Sequence, residues 1–155
     1  MSHNQTEILN RLHERFGESL QSVALFGSQA RGTGHAFSDI DLLIVLKDAP
    51  RELRGRRQLA SSIRRQLGLP IDSTILRTDA FVYSVRYLAP LMIELARDYE
   101  VWYDRDGFFC GNIGFIQALM RQGKLVEMQA GVWKFTEKID EMARDGAGVL
   151  ARSSL

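Results

Sequence analysis

A glycine–serine pair and an Asp-x-Asp pair stand at the facing ends of two neighbouring apolar runs of this 155-residue chain. Gly27 and Ser28 close the first run, and after ten intervening residues Asp39 and Asp41 open the second, which continues to Leu46. An almost uninterrupted apolar run of this length predicts a buried, central strand. Side chains at i and i+2 of a strand share one face. The pattern therefore predicts two strands whose ends carry the polar residues of a site.

The residue types in this pattern suit a phosphate group and a divalent cation. Gly27 lets the backbone approach a phosphate with no side chain in the way, and Ser28 offers a hydroxyl donor. Asp39 and Asp41 offer carboxylates, which Mg²⁺ accepts together with water and substrate phosphate oxygens. These groups are the minimum equipment for phosphoryl or nucleotidyl transfer. The alternative is a Gly-rich turn followed by an aspartate that caps a turn and performs no chemistry.

A third predicted strand, over residues 70–76, contributes Asp72. If it lies beside the second strand, three carboxylates converge on one or two Mg²⁺ ions, two such ions being about 3.5–4 Å apart in known sites. We expect Asp72 to complete the second metal position and to accept the proton of an attacking hydroxyl. We expect Arg31 to contact the triphosphate, because a guanidinium group matches phosphate geometry. A strand-edge Asp72 and a solvated Arg31 without function are the alternatives.

Strands separated by helices predict an α/β fold for a chain whose length fits one domain. We expect helices near the N-terminus to Phe16, from Pro50 to Leu67, and over 80–98 with a break at Pro90. A short edge strand is expected over 101–103. Beyond the predicted site-bearing domain of residues 1–107, we expect a helical C-terminal extension over 108–145 packed on it, with a second helix over 124–143. A flexible tail is expected over 146–155.

Composition excludes several classes of function. The net charge of +1 gives no electrostatic case for a nucleic-acid or anionic-membrane partner. Cys110 is the only cysteine, so no disulfide framework and no Cys-based metal site is expected. No apolar run approaches the roughly 18 residues that span a bilayer. The polar N-terminus does not resemble a signal peptide, and we expect a cytoplasmic protein.

One predicted helix concentrates positive charge. The segment from Pro50 to Leu67 carries six arginines: Arg51, Arg54, Arg56, Arg57, Arg64 and Arg65. We expect a solvated face, and the alternatives are a surface for an acidic partner protein or a path for RNA phosphates. No aromatic residue is interleaved with these arginines, which disfavours RNA.

The site residues together resemble those of the minimal nucleotidyltransferases, small members of the polymerase-beta-like nucleotidyltransferase superfamily. The family pattern is Gly-Ser, a spacer, Asp-x-Asp and a third Asp one strand later. Its counterparts in this chain are Gly27-Ser28, Asp39-Ile40-Asp41 and Asp72, with Ala30-Arg31-Gly32 and Ser38 adding to the likeness. The likeness is strong over residues 20–78 and extends more weakly to 107.

The resemblance implies a nucleotidyltransferase fold, which is a small mixed β-sheet flanked by helices. It implies Mg²⁺ and the transfer of a nucleoside monophosphate, usually AMP from ATP, to a hydroxyl. Many members resemble antitoxins that silence a HEPN-type ribonuclease toxin by adenylylating a tyrosine, by binding, or both. Others resemble aminoglycoside nucleotidyltransferases. We expect a protein adenylyltransferase whose site is closed by a partner protein or a second copy of the chain. A non-catalytic binding module and a small-molecule transferase stay open.

Overall fold

The computed structural model describes residues 3–35 and 38–136. Its helices are α1 (His3–Phe16), α2 (Gly27–Ala30), α3 (Leu53–Leu67), α4 (Thr78–Arg86), α5 (Pro90–Arg97) and α6 (Phe108–Arg121). Its strands are β1 (Leu20–Phe26), β2 (Ile40–Leu46), β3 (Ile71–Arg77), β4 (Glu100–Asp104), β5 (Leu125–Gln129) and β6 (Val132–Phe135). No helix in this part of the chain is long and apolar enough to cross a membrane.

Four strands form a mixed sheet in the order β3-β2-β1-β4. β1 runs antiparallel to both β2 and β4, while β2 and β3 are parallel. A parallel pair needs a long crossover, and α3 supplies it between β2 and β3. The predicted α/β fold with a small mixed sheet flanked by helices is confirmed. The predicted edge strand over 101–103 is confirmed as β4.

One face of the sheet packs on the main core. Leu42, Ile44 and Leu46 of β2 are almost completely buried there with Ile71 and Ile75 of β3. Helices α1 and α3 add apolar side chains to the same cluster, among them Ile8, Leu12 and Ile63. Because successive strand residues point to opposite faces, Asp41 and Asp72 point away from this core. The alternation of side-chain direction along β2 and β3 thus places the two carboxylates on the sheet face opposite this core.

The chain divides into two compact units. The first extends to Phe81 and takes in Asp98–Asp106, and it holds the four-stranded sheet. The second comprises Val82–Arg97 and, within the described residues, the chain from 107 to 136. Within the second unit α5 packs on α6, and the Gln117 side-chain amide donates to the carbonyl of Ala96 at 3.2 Å.

The second C-terminal helix predicted over 124–143 is wrong over residues 125–135. These residues form an antiparallel hairpin of β5 and β6, joined by the two-residue turn Ala130-Gly131. Gly131 has a φ of +76°, which a tight hairpin turn accommodates and a helix does not. Val126, Val132, Trp133 and Phe135 also favour strands. The rest of the predicted helix and the predicted tail over 146–155 lie outside the described residues.

Two helix boundaries were predicted at prolines, and the structure agrees with one of them. The helix predicted to begin at Pro50 begins instead at Leu53, because residues 51–52 form a bend before it. Pro90 divides the predicted helix over 80–98 as expected, with α4 ending at Arg86 and α5 beginning at Pro90 itself. Proline is well tolerated at the first position of a helix, where its missing N–H has no partner to lose.

Candidate active site

Asp41 and Asp72 lie side by side on neighbouring strands. Their Cα atoms are partners in the parallel register of β2 and β3, one residue beyond the partners Ile40 and Ile71. Adjacent strands are about 4.8 Å apart, and register partners point to the same side of the sheet. The Asp41 side chain is half-buried and the Asp72 side chain is exposed. The second and third strands are neighbours, and these two carboxylates therefore lie close together.

Gly27 touches the same carboxylate from the other side. Phe26 is the register partner of Asp41 in the antiparallel β1–β2 pair, so Gly27 follows directly beside Asp41. A Cβ at Gly27 would collide with the Asp41 carboxylate, whose Cγ would be 3.1 Å away. Gly27 also has a φ of +73°, which residues with a side chain rarely adopt. Both the backbone angle and the close approach of Asp41 therefore require glycine here.

Asp39 is held by two residues outside the predicted site. The Arg64 guanidinium of α3 lies 3.7 Å from the Asp39 carboxylate, and both side chains are about half exposed at 52% and 47%. The Gln29 side-chain amide donates to the carbonyls of Ser38 at 3.1 Å and of Asp39 at 3.3 Å. Gln29 therefore links the turn after β1 to the segment entering β2. Arg64 thus places a positive charge beside the Asp39 carboxylate.

The turn after β1 is closed by its own hydrogen bonds. The Arg31 backbone N–H donates to the Gly27 carbonyl at 3.2 Å, and Thr33 donates to the Ser28 carbonyl from its N–H at 3.0 Å and its hydroxyl at 3.2 Å. These bonds occupy the two carbonyls and do not involve the half-buried Ser28 hydroxyl. Arg31 is exposed at the end of the turn. The turn therefore places the predicted residues Ser28 and Arg31 next to the strand end that carries Asp41.

The carboxylates fit a hard divalent cation held with few protein ligands. Among residues 3–35 and 38–136, no group of three or more His, Cys, Asp or Glu side chains is arranged to hold a metal ion. Mg²⁺ usually takes one or two carboxylates and completes its shell with water and phosphate oxygens. The Asp41 carboxylate lies against Gly27, and Asp72 is beside Asp41 on the next strand. Asp39 precedes Asp41 by two residues on the same segment.

Sequence reasoning missed Gln29 and Arg64. Gln29 directly follows the Gly27-Ser28 pair, but its hydrogen bonds depend on residues 38 and 39 folding back beside it. Arg64 was one of six arginines on a predicted helix, and only the crossover geometry of α3 sets it beside Asp39. A sequence gives no signal for such a pairing, because the two residues are far apart along the chain.

Comparisons with known proteins show the family of the chain. A family model described as a nucleotidyltransferase domain matches residues 6–87, which is more than half of the chain. A candidate protein adenylyltransferase of Methanocaldococcus jannaschii is 28% identical over 138 residues, covering 86% of this chain and 92% of the relative.

Solved structures show the same fold. A toxin–antitoxin complex with AMP-PNP matches with a TM-score of 0.51 and 21% identity, covering 78% of this chain and 92% of that chain. A mutant of the toxin–antitoxin pair MntA–HpeT matches with a TM-score of 0.50 and 21% identity, covering 76% of this chain and 90% of that chain. With the family model, they lead to one conclusion: the chain belongs to the nucleotidyltransferase domain family and is a nucleotidyltransferase enzyme.

Proposed function

We propose that the chain transfers AMP from ATP to a hydroxyl of a protein, most specifically a tyrosine of a HEPN-type partner toxin. One observation carries the proposal: Asp41 is the register partner of Asp72 on the next strand, and Gly27 lies against the Asp41 carboxylate from the other side. This arrangement supplies acidic oxygens next to a turn suited to phosphate. Asp39, Asp41 and Asp72 are the proposed catalytic and metal-binding residues, and Gly27, Ser28 and Arg31 the proposed nucleotide-binding residues.

Each residue has a proposed role in the transfer. Bound Mg²⁺ would supply charge neutralisation on the triphosphate. Asp41 and Asp72 would hold it, and Asp39 would join them on release from Arg64. The Ser28 hydroxyl and the Arg31 guanidinium bind phosphate oxygens and orient the triphosphate. Asp72 accepts the proton of the acceptor hydroxyl as its oxygen bonds to the α-phosphorus. The bond from that phosphorus to the pyrophosphate oxygen breaks, and pyrophosphate leaves with the electron pair.

The nucleotide and the acceptor class are supported by the comparisons. The Methanocaldococcus jannaschii relative is named as a candidate protein adenylyltransferase, which favours a protein acceptor and an adenylyl group. The fold neighbour in complex with AMP-PNP is a toxin–antitoxin assembly, which favours ATP as donor and a toxin as partner. We also propose that the partner protein, or a second copy of the chain, covers the exposed Asp72 during the reaction.

Label transfer tests the proposal directly. The full chain is incubated with α-labelled ATP, Mg²⁺ and the product of the adjacent gene, and labelled protein is separated and mapped by mass spectrometry. We expect one AMP per modified tyrosine with the wild-type chain and none with Asp39→Asn or Asp41→Asn. Absence of label on any acceptor with the folded wild-type chain would overturn the transfer reaction.

Two further assays separate the alternatives. If Asp41→Asn still rescues cells from the toxin, neutralisation works by occlusion and the chain acts as a binding module. If label passes to an aminoglycoside and not to protein, the acceptor is a small molecule. Circular dichroism of each variant establishes that it is folded, so that a negative result reports on chemistry.

A further inference from the structure

A cleft of about 460 Å³ lies between α3 and the outer edge of β3. Its walls include all five residues from Asp72 to Leu76, together with Leu53, Arg57 and Ser61 of α3. Successive strand residues point to opposite faces, so five in a row can line one cleft only if it follows the edge of the strand. The cleft therefore begins at the proposed catalytic Asp72 and extends away along β3.

The edge of β3 is a template for another strand. β3 is the last strand of the four-stranded sheet, so among the described strands it pairs with β2 alone. One row of its backbone N–H and C=O groups faces the cleft, and such a row accepts an extended polypeptide through main-chain hydrogen bonds. Ser73 also lines the cleft, and its buried hydroxyl has no hydrogen-bond partner within the described chain.

The opposite wall is positively charged. Arg57 lines this cleft and also a neighbouring depression on α3 that holds Arg54 and Arg65. All three side chains are exposed, and none of the three forms an ion pair with another described residue. Arg56 also lines the cleft and donates to the neutral Pro50 carbonyl at 3.2 Å, whereas Arg64 pairs with Asp39. The charge of this wall favours an acidic ligand.

We propose that this cleft binds an extended, acidic segment of the acceptor protein as an added strand beside β3, and that the segment carries its hydroxyl to Asp72. The inference rests on the proposed transfer function and names the chemistry of its acceptor. A cationic aminoglycoside in this cleft would meet the guanidinium groups of Arg56 and Arg57, which disfavours that class. RNA is disfavoured because no aromatic side chain lines the cleft for base stacking.

Peptide binding tests the inference without requiring catalysis. The probe is a fluorescein-labelled peptide of eight residues in which Glu alternates with Val and one central Val is replaced by Tyr. Fluorescence anisotropy with the full wild-type chain is expected to show saturable binding, weakened about tenfold or more by Arg57→Glu, because charge reversal places like charges in contact. Arg11→Glu, the same change on the exposed face of α1, is the matched control and is expected to leave binding unchanged.

N-methylated versions of the peptide test whether it pairs with the backbone of β3. N-methylation at one set of alternate positions of the peptide is expected to abolish binding, and N-methylation at the other set to preserve it, because an added strand directs alternate N–H groups toward β3. A Lys-for-Glu version of the peptide is expected not to bind.

Three outcomes would overturn the inference: no binding of the acidic peptide, equal binding by Arg57→Glu, or preferential binding of a single-stranded RNA oligonucleotide of equal length. Failure of the transfer reaction is recognised separately. The inactive Asp41→Asn variant is expected to bind the peptide like the wild type, so peptide binding without any label transfer would refute the proposed reaction and retain the docking cleft.

Discussion

The Cα atoms of Asp41 and Asp72 are register partners across the parallel pair of β2 and β3. A shift by one residue would turn one of the two carboxylates into the apolar core, because strand side chains alternate between faces. The register is secured by the buried partners that follow along the two strands, Leu42 opposite Ser73 and Ile44 opposite Ile75. Core packing and site geometry are therefore enforced by the same alignment.

Replacing Asp72 should separate transfer from nucleotide binding. In Asp72→Asn we expect the transfer rate to fall by about 10²–10⁴-fold, because the proposed proton acceptor is lost. Binding of a fluorescent ATP analogue should change by less than about threefold, because Asp39 and Asp41 remain to hold the cation that accompanies the nucleotide. Single-turnover kinetics and a binding titration measure the two quantities. Asp48→Asn, beyond the opposite end of β2, is the control and should retain wild-type activity.

Gly27→Ala should cost both stability and activity. The left-handed backbone costs about 1–2 kcal/mol with a side chain, and the added methyl group displaces the Asp41 carboxylate. Gly68→Ala is a matched control, because Gly68 has a φ of +63° and a Cβ added there would meet no atom within 4 Å. Urea unfolding should show a larger loss for Gly27→Ala, and only this variant should lose transfer. Equal losses in both variants would contradict the contact with Asp41.

Arg64→Gln should lower the Mg²⁺ concentration that gives half-maximal transfer. Arg64 lies 3.7 Å from the Asp39 carboxylate, so a cation binding there must compete with the guanidinium. Exposed ion pairs are worth about 0–1 kcal/mol, which corresponds to a decrease of up to about fivefold, with little change in the free energy of unfolding. Arg64→Lys should behave like the wild type. A higher Mg²⁺ requirement in Arg64→Gln would indicate that Arg64 assists nucleotide binding instead.

Asp79 should make stability sensitive to acid. Hydrogen bonds from Arg77, including one from Nε at 2.8 Å, together with the Ala80 N–H, lower the pKa of Asp79 from 3.8 to about 2. A lowered folded-state pKa stabilises the protein above the unfolded-state value, and this contribution is lost as pH falls through the folded-state pKa. The stability advantage of the wild type over Asp79→Asn should therefore be present at pH 6 and shrink from about pH 4 to about pH 2.

Thermal unfolding monitored by circular dichroism across this pH range measures that advantage. Glu14→Gln, at an exposed position of α1, serves as the control for a general effect of removing a carboxylate. An advantage that stays constant down to pH 2 would contradict the proposed pairing of Asp79 with Arg77.

Much of the local structure follows from short-range patterns. The two apolar runs predicted β1 and β2, and the segment over residues 70–76 predicted β3. Pro90 predicted the break between α4 and α5. The hairpin of β5 and β6 was missed because its few apolar residues fit a helical period as well as a strand period, and cross-strand pairing decided between them.

The sequence by itself determined the turn at Gly27-Ser28, the carboxylates at Asp39, Asp41 and Asp72, and the family to which they point, because these depend on residue types at close spacing. Only the tertiary structure decided that Asp41 meets Asp72 in register, that its carboxylate fills the space beside Gly27, and that Arg64 pairs with Asp39. Those contacts join segments far apart in the chain. Their geometry is set by burial of the strands and the path of α3, which no local spacing encodes.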